Sequence, residues 1–267
     1  MPHFTTPDGC RLFYTTYGVD TSDPVVIFLN GTTQTTLYWG NHVPAFAKHH
    51  GMVFYDARGQ GQSELGSGPI SLNLHVADLK NLMAHLAVDR ARLVGLSHGA
   101  RLALEFALEF PNRIDRMVLC SIGAQTSDRA RAIVRSWLEV LQRSDLKAMA
   151  WAALPTVFGN RFLSDHWAII DKIINAVAMR NSKRALLCQL DAVLSYPAPE
   201  RIPADFDTPT LVIWGSEDLL VEADDARQLA HRCRANHRQL TGIGHSIPAE
   251  APEIFQKLVL EFFDSSK

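Results

Sequence analysis

Leu93-Val94-Gly95-Leu96-Ser97-His98-Gly99-Ala100 is the stretch that decides the fold of this chain. An apolar run precedes Ser97 and a helical pattern follows it, so the serine lies where a strand turns into a helix. A glycine two positions away on each side keeps side chains out of a tight, strained turn. An ordinary glycine-containing turn is the alternative interpretation. The strand before and the helix after favour a nucleophile elbow, which raises a serine hydroxyl above a sheet.

Short apolar runs alternate with helical patterns on both sides of this elbow. The runs predict strands at residues 13–17, 25–29, 52–55, 92–96, 114–120, 210–214 and 237–240. Helical patterns lie at residues 71–87, with Ser71 as the cap, and at 100–110, 223–233 and 252–263. Strands separated by helices need right-handed crossovers. The sequence therefore predicts an α/β fold with a mostly parallel central sheet flanked by helices.

The pattern changes between residues 125 and 203, where strand signals vanish. Helical stretches at 130–146, 166–179 and 182–194 follow one another there. Prolines punctuate them, at Pro155, Pro197, Pro199 and Pro203. This arrangement predicts an inserted helical cap, or lid, over residues 125–203, above a core formed by residues 1–124 and 204–267.

Composition narrows the class of protein. A formal net charge of -2 provides no basic face for nucleic acid. No run reaches the roughly 18 apolar residues of a membrane span, and no secretion signal is visible. The cysteines show neither CxxC nor metal-ligand spacing, at Cys10, Cys120, Cys188 and Cys233. We therefore expect a cytoplasmic protein with reduced thiols; the sequence indicates no oligomeric state.

A nucleophilic serine needs a base, and His245 is the candidate. It follows Gly242-Ile243-Gly244, on a loop directly after the last predicted strand. A lone loop histidine is more often a surface residue, but the glycines let this loop fold back over the strand ends. His98 is adjacent to Ser97, yet successive residues at an elbow diverge. We therefore expect His98 to serve in packing rather than as the base.

The base needs a carboxylate to orient it, and Asp218 follows the strand at residues 210–214. Open α/β sheets place their ligands at that end of a strand. Glu217 is the alternative, interpreted as a solvated neighbour. The preceding strand is followed by residues 121–124, which contain no carboxylate. Serine, aspartate and histidine thus occur in the order that this type of elbow predicts.

Acyl transfer also needs N–H donors for a developing oxyanion. The backbone N–H of Thr32, after the first buried strand, and that of His98, directly after the nucleophile, are the candidates. Asn30 either holds this loop through side-chain hydrogen bonds or simply serves Asn-Gly turn chemistry. Both interpretations stay open.

With these motifs, the chain resembles the α/β-hydrolase superfamily over essentially its whole length. The matching segments are Asn30-Gly31-Thr32, Tyr55 to Ser63, the elbow around Ser97, Gly215-Ser216-Glu217-Asp218, and Gly244-His245. Residues 56–63 are similar to the D-x-R-G-x-G-x-S loop, which is usually structural in that superfamily. Asn30 departs from the pattern, because many relatives have histidine there. The stretch 30–36 and the cap resemble acyltransferases of 3-hydroxyacyl chains, as in rhamnolipid precursor synthesis.

Serine at the elbow indicates esters, thioesters, lactones or amides, whereas dehalogenase-like relatives use aspartate. We predict a hydrolase that cleaves a small carboxylic ester or thioester through an acyl-enzyme on Ser97, with no cofactor or metal. An acyltransferase with the same triad is one alternative, and a non-catalytic binding protein on this fold is another. Aromatic residues of the cap are the predicted substrate contacts, with cap core as the alternative: Trp137, Trp151, Phe158 and Phe162.

Overall fold

A computed structural model describes residues 2–19, 24–198 and 202–265 of the chain. Within these ranges, eight strands form one sheet. The strands are β1 His3–Thr5, β2 Arg11–Tyr17, β3 Val25–Leu29, β4 Met52–Tyr55, β5 Ala91–Leu96, β6 Ile114–Cys120, β7 Thr210–Gly215 and β8 Asn236–Leu240. All the predicted strands are present within a residue or two of their expected limits, and β1 is an addition.

The sheet has the order β1-β2-β4-β3-β5-β6-β7-β8. β1 and β2 pair antiparallel, and every pairing from β4 to β8 is parallel. Parallel strands leave all their carboxyl ends at one edge, so the loops that follow β3, β5, β7 and β8 meet there. The predicted mostly parallel α/β fold is confirmed.

Helices cover both faces of the sheet and bury its central strands. Along β3, Val25, Ile27 and Leu29 pack into the hydrophobic core on one face, while Val26 and Phe28 pack into the core on the other. The alternation follows from the two-residue period of a strand. An uninterrupted apolar run is therefore the expected signature of a strand covered on both sides.

The helices that surround the sheet are α1 Val43–Phe46, α2 Leu72–His85, α3 His98–Glu109, α9 Ala223–Arg232, α10 Ile247–Glu250 and α11 Pro252–Asp264. Ser71 caps α2 as predicted, because its side chain accepts a hydrogen bond from Leu74 N. α3 begins at His98, two residues earlier than expected, since the turn at Ser97 leads into the helix at once. The short helices α1 and α10 were not predicted.

Between β6 and β7 lies a helical insertion with small hydrophobic cores of its own. Its helices are α4 Asp128–Arg143, α5 Leu146–Val157, α6 Asn160–His166, α7 Ile170–Arg180 and α8 Lys183–Ser195. The predicted helix at 130–146 is too long, because Asp145 caps a new helix, α5, by accepting from Ala148 N. The prediction missed α5 and α6. It also began the next helix too early, because Trp167–Ile169 forms a 3-10 turn before α7.

Pro155 does not separate helices as predicted but lies inside α5. Only two residues of α5 follow it, so the hydrogen bond that proline cannot donate is missing from the last turn of this helix. Pro197 and Pro203 lie outside the helices, and Pro199 falls outside the described residues.

No helix among the described residues combines the length and apolar character that a bilayer crossing requires. The cysteines, all of which the structure describes, are free thiols, and three of the four are buried.

An ion-pair network around Arg58 ties the loop after β4 to the rest of the core. The Arg58 guanidinium is 2.6 Å from Asp78 Oδ2 and 2.7 Å from Asp8 Oδ1. Arg58 and Asp78 are almost fully buried, whereas Asp8 is half exposed. A buried charge is tolerated only with such a partner. The network supports the structural role that the resemblance implied for residues 56–63.

Replacing Arg58 with methionine should therefore lower the free energy of unfolding by about 3–5 kcal/mol, because the Asp78 carboxylate would stay buried without its partner. Urea denaturation followed by circular dichroism measures the change. Arg135→Met is the control, since Arg135 pairs with Glu139 on an exposed helix surface, and its effect should stay within about 0.5 kcal/mol. Equal effects in the two variants would contradict the role assigned to Arg58.

Candidate active site

Ser97 occupies the turn between β5 and α3 in a strained conformation, with φ 54° and ψ -113°. The flanking glycines make this turn possible. A Cβ at Gly95 would lie 2.5 Å from Ala100 Cα, and a Cβ at Gly99 would overlap the carbonyl oxygen of Leu29. Only glycine allows these backbones to approach so closely. The sequence of the elbow thus fixes a strained serine at the carboxyl edge of the sheet.

His245 and Asp218 form a buried pair in the loops after β8 and β7. His245 Nδ1 lies 2.8 Å from Asp218 Oδ2 and 3.0 Å from Oδ1. The Asp218 side chain is fully buried, and its Oδ1 also accepts from Leu220 N and Val221 N. Glu217 turns away and accepts from Asn160 N at the start of α6. Of the two adjacent carboxylates, Asp218 is therefore the one that meets the imidazole.

Ser97 and His245 line one cavity of about 180 Å³. Thr32 and His98 line the same cavity. In the described part of the chain, no hydrogen bond joins Ser97 Oγ to the His245 ring, although both residues line the cavity. Such bonds are often long in free enzymes and tighten when substrate binds.

Hydrogen bonds from the loop after β4 hold the loop after β3 in place. Gln60 Nε2 donates to Gly31 O at 2.9 Å, and Gly31 N donates to Gln34 Oε1 at 2.8 Å. Asn30 is buried; its Nδ2 donates to Tyr55 O, and its Oδ1 accepts from Trp39 Nε1. Of the two interpretations of Asn30, these contacts support the one in which its side chain holds the loop.

The His98 side chain is buried against two other rings. Its ring centroid is 4.9 Å from that of His75 and 5.8 Å from that of Tyr196. Burial lowers the pKa of His98 to about 4, so the ring is neutral at physiological pH. This environment fits a packing residue, as the sequence predicted, and not a second base.

Contacts that the sequence did not reveal fix the backbone around His245. Ser121 Oγ donates to His245 O at 2.7 Å, and His245 N donates to Val157 O at the end of α5. Glu250 accepts from the N–H groups of Gly159, Gly244 and Ser246. Burial raises the pKa of this carboxyl, and its N–H donors oppose the shift. The insertion is thus bonded directly to the histidine loop. The positive φ of Ser121 is not visible in sequence, so no signal pointed to it.

The four aromatic residues predicted as substrate contacts fall in three places. Trp137 lines the cavity of Ser97, whereas Phe158 and Phe162 line a second, more apolar cavity of about 320 Å³ beside it. The two cavities share Thr33, Gln34, Ala153, Val157 and Ser246 as lining residues. Trp151 lines neither and is 36% exposed, because it lies on the outer side of α5. Trp151 therefore lies outside both cavities.

The sequence model of the family described as serine aminopeptidase, S33, matches residues 20–250, well over half of the chain. The chain belongs to this family. It is an α/β-hydrolase, as the resemblance implied, and its relatives include hydrolases.

Similar proteins extend over nearly the whole chain. The crystal structure of MGS-M2, an α/β-hydrolase enzyme from a Medee basin deep-sea metagenome library, is 29% identical with a TM-score of 0.92, over 100% of this chain and 98% of that one. The enol-lactonase from Burkholderia xenovorans LB400 is 24% identical with a TM-score of 0.90, over 99% and 100%. By sequence, 3-oxoadipate enol-lactonase 2 of Acinetobacter baylyi is 24% identical, over 95% and 93%.

Among the described residues, no group of three or more His, Cys, Asp or Glu side chains is arranged to hold a metal ion. The polar groups of the cavity are instead hydroxyl, imidazole, guanidinium and amide groups, and they suit binding and proton transfer.

Replacing Gly99 with alanine should disrupt the elbow, because the new methyl group would overlap the backbone of Leu29. We expect a loss of about 1–3 kcal/mol of stability, or more if the backbone does not yield. Thermal denaturation measures it. Gly40→Ala is the matched control, since nothing lies within 4 Å of a Cβ there. A Gly99→Ala protein as stable as Gly40→Ala would contradict the described packing.

Proposed function

We propose that the chain is a serine hydrolase that cleaves a carboxylic ester, open-chain or cyclic, through an acyl-enzyme on Ser97. The observation that carries this proposal is the buried Asp218–His245 pair beside the cavity that Ser97 lines. An imidazole whose Nδ1 faces a carboxylate keeps its Nε2 available to accept a proton. The lactonases among the similar proteins support ester chemistry, and the serine supports a covalent route.

In the proposed first step, Ser97 Oγ attacks the carbonyl carbon of the ester while His245 Nε2 takes the hydroxyl proton. The carbonyl oxygen becomes an oxyanion, which the N–H groups of Thr32 and His98 stabilise. Losing one such donor typically costs about 100- to 1000-fold in rate. The dipole of α3, whose N-terminus follows Ser97, favours the same negative charge.

In the second step the tetrahedral intermediate collapses, and the bond between the carbonyl carbon and the alcohol oxygen breaks. His245 gives its proton to that oxygen, which leaves as the alcohol or, in a lactone, stays attached to the acyl chain. Water then attacks the acyl-enzyme with His245 again as base, and the acid is released. Asp218 stabilises the imidazolium that forms in both steps.

We further propose that residues 125–203 act as a cap over the site. Val157, at the end of α5, bonds the backbone of His245, and insertion side chains line both cavities. A cap of this kind shields the cavity from bulk solvent. Transfer of the acyl group to an alcohol or thiol is the alternative outcome, and analysing the products with and without such an acceptor distinguishes transfer from hydrolysis.

Ser97→Ala should reduce the turnover of p-nitrophenyl esters by roughly four to six orders of magnitude, because no acyl-enzyme can form. Release of p-nitrophenolate measures the rate, and circular dichroism shows that the variant is folded. Ser136→Ala, on the exposed surface of α4, serves as the control and should keep full activity. Retention of more than about a tenth of the activity by Ser97→Ala would remove Ser97 from this role.

Asp218→Asn should lower kcat by roughly 10,000-fold, because an amide facing Nδ1 favours the wrong imidazole tautomer. Glu217→Gln is the matched control on the adjacent residue; its side-chain oxygen can still accept from Asn160 N, so we expect near-normal turnover. Steady-state kinetics on the same ester compares them. If Glu217→Gln were the more damaged variant, the assignment of Asp218 would be wrong.

A further inference from the structure

Arg101 gives the cavity of Ser97 a positive charge that the proposed hydrolysis does not use. It lines the cavity together with Ser97 and His245. None of the described residues that line this cavity is aspartate or glutamate. His98, which also lines it, is neutral because burial lowers its pKa to about 4. The guanidinium is thus the permanently charged group among the described residues that line the cavity, and its ion-pair partner, Glu105, is not one of them.

The position of Arg101 is unfavourable for a cation. It is the fourth residue of α3, close to the positive end of the helix dipole, where negative groups are preferred. It is only 9% exposed, and burial lowers its pKa from the ordinary arginine value, although Glu105 opposes this shift. A desolvated cation in such a place costs stability, and costs of this kind are concentrated at functional sites.

Most of the hydrogen-bonding capacity of Arg101 is unused. Within the described residues, its guanidinium makes one hydrogen bond, from Nη2 to Glu105 Oε2 at 3.2 Å. Arg101 Nε is buried without a partner, and so are the Tyr196 hydroxyl and His98 Nδ1. All three residues line the same cavity. Most buried polar groups in proteins have a hydrogen-bond partner, which can be a bound ligand or a water molecule.

We propose that Arg101, with the Tyr196 hydroxyl beside it, binds a carboxylate of the substrate, so that the preferred ester or lactone is an anion. This inference rests on the proposed function, because it names the substrate class of the same site. A planar guanidinium matches the two oxygens of a carboxylate, and a charge-assisted pair in a cavity without acidic residues is strong.

The spacing along α3 sets where this carboxylate lies. Arg101 N donates to Ser97 O at 2.9 Å, so the two residues are one helical turn apart. Both residues line the same cavity of about 180 Å³. Because the cavity is small, the carboxylate lies close to the scissile carbonyl, and the apolar second cavity is left for the uncharged part of the substrate.

Matched pairs of esters test the inference. One series contains p-nitrophenyl monoesters of glutaric, adipic and pimelic acid, each compared with the same compound carrying a methyl-capped carboxyl. A second pair places the charge on the alcohol: the acetate ester of p-hydroxyphenylacetic acid against that of its methyl ester. The readout is the ratio of kcat/KM for the anionic ester to that for its neutral partner, after subtraction of spontaneous hydrolysis.

We expect wild-type enzyme to prefer the anionic member in at least one series. Arg101→Met should lower that ratio by roughly 10- to 100-fold, Arg101→Lys by less because it keeps a point charge, and Tyr196→Phe by roughly 3- to 10-fold. Arg143→Met, on the exposed end of α4, is the matched control and should leave the ratio unchanged. If Arg101→Met fails to fold, Arg101→Lys and Tyr196→Phe make the same comparison.

A ratio that is the same in the wild type and in the folded Arg101 and Tyr196 variants overturns the inference. A calorimetric measurement of adipate binding separates this failure from failure of the proposed function. It compares the Ser97→Ala variant with the double variant that also carries Arg101→Met. Lost ester turnover with Arg101-dependent adipate binding would contradict the hydrolase but support the anion site. If neutral esters are turned over but Arg101→Met does not change adipate binding, the hydrolase is supported and the anion site is contradicted.

Discussion

The close approach of α3 to the end of β3, at Gly99 against the carbonyl group of Leu29, is the constraint on which the site depends. Because glycine has no Cβ, α3 can start directly after β5 while lying against β3. Ser97 takes a positive φ at the junction of β5 and α3. That conformation costs free energy. It persists because the packing of the surrounding structure holds β5 and α3 in place. It brings the Ser97 hydroxyl and the His98 N–H to the edge of the sheet where the loop of Thr32 also ends.

The parallel sheet explains how groups distant along the chain meet at this edge. β5 carries Ser97, β7 leads to Asp218 and β8 leads to His245. Since all three strands point the same way, their carboxyl ends meet. Contacts from the helical insertion complete the arrangement. Val157 O accepts a hydrogen bond from His245 N, and Gly159 N donates one to Glu250, which also bonds the histidine loop.

Most of the sheet could be predicted because a doubly covered strand is a short apolar run, and such runs are visible without knowledge of tertiary contacts. The pairing of Asp218 with His245 followed from the same reasoning, since strand order places their loops together. The insertion was less predictable. α5 is apolar on most of its surface, so its sequence does not say which side faces the cavities, and Trp151 turned out to face away. No local pattern records that Glu250 reaches Gly159 of the insertion or that Arg101 lines the cavity of Ser97.

Covalent labelling tests most directly whether Ser97 is the nucleophile that His245 activates. The chain would be treated with an aryl fluorophosphonate, whose fluoride leaves as a P–O bond forms, and digested for peptide mass spectrometry. We predict one adduct per chain, on Ser97, and its loss in the folded His245→Ala variant. Inactivation with the label on another residue, or labelling of Ser97 at an undiminished rate without His245, would contradict it.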